Sequence, residues 1–155
     1  VHIRHGKRQG PTVLVCAAVH GDELNGIEIV RRLIQMKSLK PGKGTLILVP
    51  MVNVYGVLNQ SRYMPDRRDL NRSFPGSAKG SLAGRVANTF LDKIVSLCDL
   101  VYRYSSTRIF GMAHYDKQRL SLIQECYCTK PDRRCALMSY RFVLVFVVYS
   151  TSLHI

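Results

Sequence analysis

Two short apolar runs, at residues 13–19 and 45–49, are separated by segments whose apolar positions recur at helical spacing, and this alternation sets the expected fold. The first run, Val13-Leu14-Val15-Cys16-Ala17-Ala18-Val19, contains no charged side chain and reads as a strand buried on both faces, as in a parallel sheet. Gly21 and Gly26 then punctuate a turn, and the apolar residues of 27–34 return at helical spacing, so strand, polar loop and helix follow in order. The second run ends at Pro50. Residues 81–98 predict another helix, with Leu82, Val86, Phe90, Leu91, Ile94 and Leu97 on one face behind Gly80-Ser81. Asp99-Leu100-Val101 should begin the next buried strand. Residues 1–7 read as the middle of a first hairpin, with His2 and His5 at an exposed strand edge. The expected class is α/β, a mostly parallel sheet with flanking helices.

This pattern gives the polar loop after the first strand its interest. Open α/β sheets place ligands in the crevice beyond the carboxyl ends of their strands, and His20 and Glu23 lie there. Zinc takes imidazole nitrogen and carboxylate oxygen, and a catalytic site uses three protein ligands plus a water. A His and a Glu three apart, where a strand turns into a helix, can point the same way. Alone the spacing is weak, because such pairs are more often neighbours on a helix face or surface.

A second polar segment follows the second strand: Ser61-Arg62-Tyr63-Met64-Pro65-Asp66-Arg67-Arg68-Asp69-Leu70-Asn71-Arg72-Ser73-Phe74-Pro75-Gly76. Together with His20-Gly21-Asp22-Glu23, in this order, it resembles the succinylglutamate desuccinylase/aspartoacylase family, whose fold is similar to the zinc carboxypeptidases. The resemblance covers about residues 1–101. It implies a zinc-dependent hydrolase that cleaves the amide bond of an N-acyl amino acid or a similar small carboxylate. It also implies that His20 and Glu23 are the first two zinc ligands, that Asn71 and Arg72 hold the substrate carboxylate, and that Arg62 is a further substrate-side arginine. A guanidinium suits that task through its planar, paired donors. Arg67 and Arg68 read as solvated loop charges, Asp69 either as an anchor for Arg72 or a turn cap or as a substrate contact, and Pro75-Gly76 as a turn.

With 155 residues and 46% apolar content the chain is long enough for a real core, and no apolar stretch nears the roughly 18 residues of a membrane span. No signal peptide opens it, so the default expectation is cytoplasmic, with no membrane partner. Five cysteines, an odd number, do not make a disulfide framework; Cys16 and Cys98 sit in apolar patterns and read as core. Cys126, Cys128 and Cys135 match no common zinc module. The net charge of +13 raises nucleic-acid binding, but the cations are spread along the chain without a recognition motif, and they equally suit steering of small anionic substrates. The sequence leaves the oligomeric state open.

The chain departs from the family at the third strand. In the family this strand ends in Asp-x-His, and that histidine is the third zinc ligand; here Arg103 stands at the aspartate position and Ser105 at the histidine position. Composition shifts at the same place: ten of eleven glycines precede residue 102, whereas six of eight tyrosines lie from 102 onward. Tyr-Arg-Tyr-Ser can be written TAT-CGA-TAT-TCA, and with one further T its overlapping frame encodes Ile-Asp-Ile-His. Two readings of residues 102–155 therefore stand, a shifted frame or an authentic divergent tail, beside a partial zinc-hydrolase-like domain at 1–101. The catalytic glutamate would lie beyond what this truncated form retains. Glu125 carries no mark of a general base, and His114 and His154 are the remaining histidines that would have to complete a site. The alternatives to a weakly active or inactive deacylase are a catalytically silent interaction module and a basic nucleic-acid-binding domain.

Overall fold

The computed structural model describes residues 1–104 and the backbone of residues 109–113. Five strands form one sheet in the order β1-β3-β2-β4-β5, with β1 at His2–His5, β2 at Arg8–Ala17, β3 at Lys43–Val49, β4 at Leu100–Tyr104 and β5 at Ile109–Ala113. The three inner strands are parallel, and the edge strands β1 and β5 are antiparallel to their neighbours. The apolar run of β2 takes the centre and spends both edges on β3 and β4. That is why β1 forms no hairpin with β2, as the sequence had suggested, but crosses to β3, pairing His2 with Leu48 and His5 with Thr45. His2 and His5 are exposed there, as expected of a polar edge strand.

Two helices cover opposite faces. Helix α1, Leu24–Gln35, sets Val30 and Leu33 on Val15, Ala17, Leu46 and Leu48. A short helix, α2, spans Val54–Leu58, and α3, Leu82–Lys93, sets Ala83, Ala87 and Phe90 on Leu14, Cys16, Ile47 and Val49. Period-two alternation along β2 thus feeds two cores from one strand. Leu14 and Leu48 are wholly buried, which contributes about 1.5–3 kcal/mol each relative to exposure.

Helix α3 begins at Ser81, whose hydroxyl accepts from the Gly84 N–H at 3.2 Å, but it ends at Lys93, short of the predicted residue 98. A 3-10 turn over Val95–Leu97 follows. Its tighter winding keeps Val95 and Cys98 on the sheet and swings Leu97 out to 64% exposure, so Leu97 leaves the apolar face assigned to it from helical spacing. Pro75-Gly76 does form a turn against α3; Gly76 has φ +77°, and a Cβ there would lie 2.0 Å from the Gly84 carbonyl oxygen. Strand β4 runs through position 101 to Tyr104, in parallel register with β2.

Candidate functional site

The site grows from the carboxyl end of β2. Ala18, at φ 51°, bends the chain out of the sheet, and the bend is tied down by Val52 and Asn53, whose N–H groups donate to the carbonyls of Ala17 and Ala18 at 3.0 and 2.8 Å. Gly21 then passes so close to Gly56 that an added Cβ would lie 1.9 Å from its carbonyl carbon, and its N–H donates to the Ser61 carbonyl at 3.1 Å. Two glycines at one crossing therefore clamp the loop holding His20 and Glu23 to the start of the second motif.

His20 is buried, at 3% exposure, with a carboxylate at each ring nitrogen. Its Nδ1 lies 2.9 Å from Glu23 Oε1, and its Nε2 lies 3.1 Å from Asp69 Oδ1. Glu23 occupies the N-cap position of α1 yet makes no capping bond; its carboxylate is turned to the histidine instead. Asp69 caps the 3-10 turn Leu70–Arg72 by accepting from the Asn71 N–H at 2.8 Å. Its other oxygen accepts from Arg62 Nη2 and Nε at 3.0 and 3.2 Å, with Arg72 Nε at 3.8 Å. Asp69 is thus both of the structural things read for it, a cap and an anchor.

Electrostatics follow from this packing. Burial pushes the Asp69 carboxyl up, but the His20 ring and the Arg62 guanidinium outweigh it and hold the group below its usual value. Glu23 behaves alike: burial raises it, and the His20 hydrogen bond with the Arg103 charge brings it lower than an ordinary glutamate. Both are carboxylates at neutral pH. Cys16, beneath the site, is pushed up to about 12 by burial, with Arg103 pulling the other way, and is an inert core thiol, as expected. Cys98 is buried too and is raised to about 11.

Besides Asp69, the member of the cluster that sequence reasoning did not place beside His20 is Arg103. It lies opposite Cys16 in the parallel register of β4 with β2, which puts its side chain on the face from which His20 emerges. Nη1 donates to Asn71 Oδ1 at 2.8 Å, while Nη2 is 3.5 Å from both Glu23 Oε2 and His20 Nδ1. A signal was present in the sequence: a lone cation in an otherwise apolar strand start, at the position where the resemblance had implied an aspartate.

The arrangement identifies the kind of protein. A family profile described as the succinylglutamate desuccinylase/aspartoacylase catalytic domain matches residues 9–108. The chain belongs to this family. The N-alpha-acetyl-L-2,4-diaminobutyric acid deacetylase of Halomonas elongata is 36% identical over 94 residues, 60% of this chain and 28% of that enzyme. The solved succinylglutamate desuccinylase/aspartoacylase of Rhodobacter sphaeroides is 32% identical with a TM-score of 0.60, covering 66% of this chain and 31% of its own. The product-bound ectoine utilization protein EutE (DoeB) of Ruegeria pomeroyi is 33% identical with a TM-score of 0.56, covering 63% and 30%. The α/β architecture is therefore the family's, and the chain spans less than a third of the length of each of these relatives.

Within the family frame, His20 and Glu23 meet, and Asn71 and Arg62 stand beside them through Arg103 and Asp69. Arg72 is 80% exposed, with its Nε 3.8 Å from Asp69 Oδ2. Arg67 and Arg68 are exposed loop charges. Ser105, His114, Glu125, His154, Cys126, Cys128 and Cys135 lie outside the described residues.

Zinc is the cofactor that the resemblance implies, and the donor set tests it. In favour, His20 offers Nδ1 to the Glu23 side while Asp69 engages Nε2, the pattern by which a carboxylate orients a metal-binding histidine. Against it, the third group at the convergence point is a cation. Among the described residues there is no group of three or more His, Cys, Asp or Glu side chains able to hold a metal. The described residues do not by themselves fit a zinc centre.

Proposed function

We propose that this chain carries a substrate-holding part of a deacylase site of the kind that cleaves the amide bond of an N-acyl amino acid or a related small carboxylate. The observation that carries the reading is the convergence of His20, Glu23, Asp69 and Asn71 at the carboxyl edge of parallel strands, with Arg62 and Arg72 beside Asp69, in a chain of this family. Zinc in the complete enzyme would polarise the amide carbonyl and acidify its bound water; here we assign it no step, because Arg103 stands among the donors.

The chain's own residues do the rest. Arg62 is held by Asp69 with part of its fork still exposed, and Arg72 presents its guanidinium to solvent beside the same carboxylate, so an incoming carboxylate meets two cations. Asn71 lies on the same 3-10 turn as Arg72, its side-chain carbonyl oxygen held by Arg103. Asp69 therefore serves as a positioning group, fixing Arg62 on one side and His20 on the other. The relative in Halomonas, named for N-acetyl-diaminobutyrate, points to small N-acetyl amino acids as substrates.

Calorimetric titration with N-acetyl-2,4-diaminobutyrate, alongside an amine-release assay with and without added zinc, tests this. We expect saturable binding that weakens at least tenfold in Arg72→Ala and in Arg62→Ala, about 1.4 kcal/mol each, with negligible amine release. Equal binding by the variants would remove the carboxylate clamp. One observation, Arg103 among the donors, favours a second reading in which the fold is kept as a catalytically silent binding module. Binding without turnover, even with zinc and in a lengthened chain, would select it.

A further inference from the structure

The point on which His20 and Glu23 converge is already taken by charge. We infer that Arg103 is the built-in cation of this site: its guanidinium stands in the place of a divalent metal, balances Glu23, holds Asn71, and closes the cleft to zinc. The inference rests on the family reading of the cleft but concerns a residue at which this chain departs from the family's pattern.

Three features carry it. The guanidinium lies 3.5 Å from the two groups a metal would use, Glu23 Oε2 and His20 Nδ1, and is fixed there by donating to Asn71 Oδ1 at 2.8 Å. Its side chain is only 11% exposed, and that of Glu23 only 13%, so two opposite charges largely removed from water stand next to one another. A divalent ion brought to His20 and Glu23 would sit within a few ångströms of a fixed positive charge, where repulsion in a partly dry site is strong. Expelling Arg103 would not be free either, because it would strip Asn71 of its donor and leave a cation to be rehydrated. The cleft is consequently neutralised by the protein itself, and its exclusion of metal is a property of one side chain.

The test uses the full chain and four forms: unmodified, Arg103→Met, Arg103→Lys, and Arg103→Met with His20→Ala. Zinc chloride is titrated by calorimetry, and thermal melts are recorded with and without zinc. Zinc bound elsewhere on the chain is recognised by its persistence in the form with His20→Ala. The unmodified chain should show no His20-dependent zinc. Arg103→Met, of similar length but without charge, should melt lower than the unmodified chain, regain that loss on adding zinc, and bind zinc at least tenfold more tightly in a His20-dependent way. Arg103→Lys keeps the charge without the fork and should still exclude zinc, which separates repulsion from bulk. His20-dependent zinc in the unmodified chain as tight as in Arg103→Met, or no gain in Arg103→Met, would overturn the inference. Should Arg103→Met fail to fold, the His20 ring resonances of the unmodified chain decide: unmoved by stoichiometric zinc they uphold the inference, and shifted they refute it. Failure of the carboxylate titration described above would leave these outcomes unchanged, so the two readings fail separately.

Discussion

One carboxylate, that of Asp69, is shared by His20, Arg62, Arg72 and the Asn71 backbone. Its side chain is 7% exposed while that of Arg62 is 43% exposed, so on losing Asp69 the arginine would rehydrate and the buried histidine would not. Breaking a fully buried pair costs about 3–5 kcal/mol. An exposed pair is worth about 0–1 kcal/mol, which places Asp69→Asn near 2 kcal/mol. The sign with pH follows from the lowered folded-state value of Asp69. The unfolded carboxyl titrates near 3.9, so the contribution is fully present above about that pH and is lost as pH falls through the lower folded value. Urea unfolding from pH 7 down to pH 3 should therefore show a steeper acid loss in the unmodified chain than in Asp69→Asn; parallel curves would mean that Asp69 is not charge-stabilised. His20 and Glu23 were legible as a pair because a strand exit turning into a helix lets residues three apart point the same way. Arg103 was not, because its place depends on the register of β4 against β2, a contact across more than eighty positions of chain.

At the scale of elements, the apolar runs and the helical spacing were enough to locate the inner strands and both long helices, because the strands are covered on both faces and each helix buries one stripe against the sheet. What escaped were the places where a contact distant in sequence overrides the local pattern: the end of α3, and the partner of β1. Arg4 shows how such a contact works. From edge strand β1 its guanidinium reaches the carboxyl end of α1 and donates to the carbonyls of Met36, Leu39 and Ile34 at 2.7, 2.6 and 2.5 Å. Those carbonyls belong to the last turn of α1 and the chain just beyond it, where a helix needs donors and favours positive charge. One side chain thus joins the edge of the sheet to the end of the helix that presents Glu23. Hydrogen bonds from a charged donor contribute about 1.5–3 kcal/mol, and Arg4→Met should lower stability by about 2–3 kcal/mol in urea unfolding. Arg4→Lys should recover less than half, since one ammonium cannot span three carbonyls. Equal stability of Arg4→Met and the unmodified chain would reduce Arg4 to a surface charge.

For the whole molecule the decisive quantity is charge. Lys and Arg number 23 against 10 Asp and Glu, a net +13 that was visible in composition alone, though which cations cooperate was not. In the fold they divide into two populations. Arg62 and Arg103 are tied to Asp69 and Glu23, and Arg31 and Arg32 share Glu28, whose carboxyl is pulled down to about 2 by their hydrogen bonds. The excess of cations over carboxylates leaves many without such partners, and like charges repel one another. Salt acts on the two populations differently. At about 0.01 M the screening length is roughly 30 Å, the width of a small domain, so the whole excess is felt; at about 0.15 M it is roughly 8 Å, and only close pairs remain. Exposed pairs are worth at most about 1 kcal/mol each and the Asp69 cluster is shielded by burial, so relief of repulsion should exceed loss of attraction. Melting followed by circular dichroism should accordingly rise in temperature as sodium chloride goes from about 0.01 to about 0.15 M. A fall over the same range would mean that paired charges, not the unbalanced excess, govern the stability of this fold.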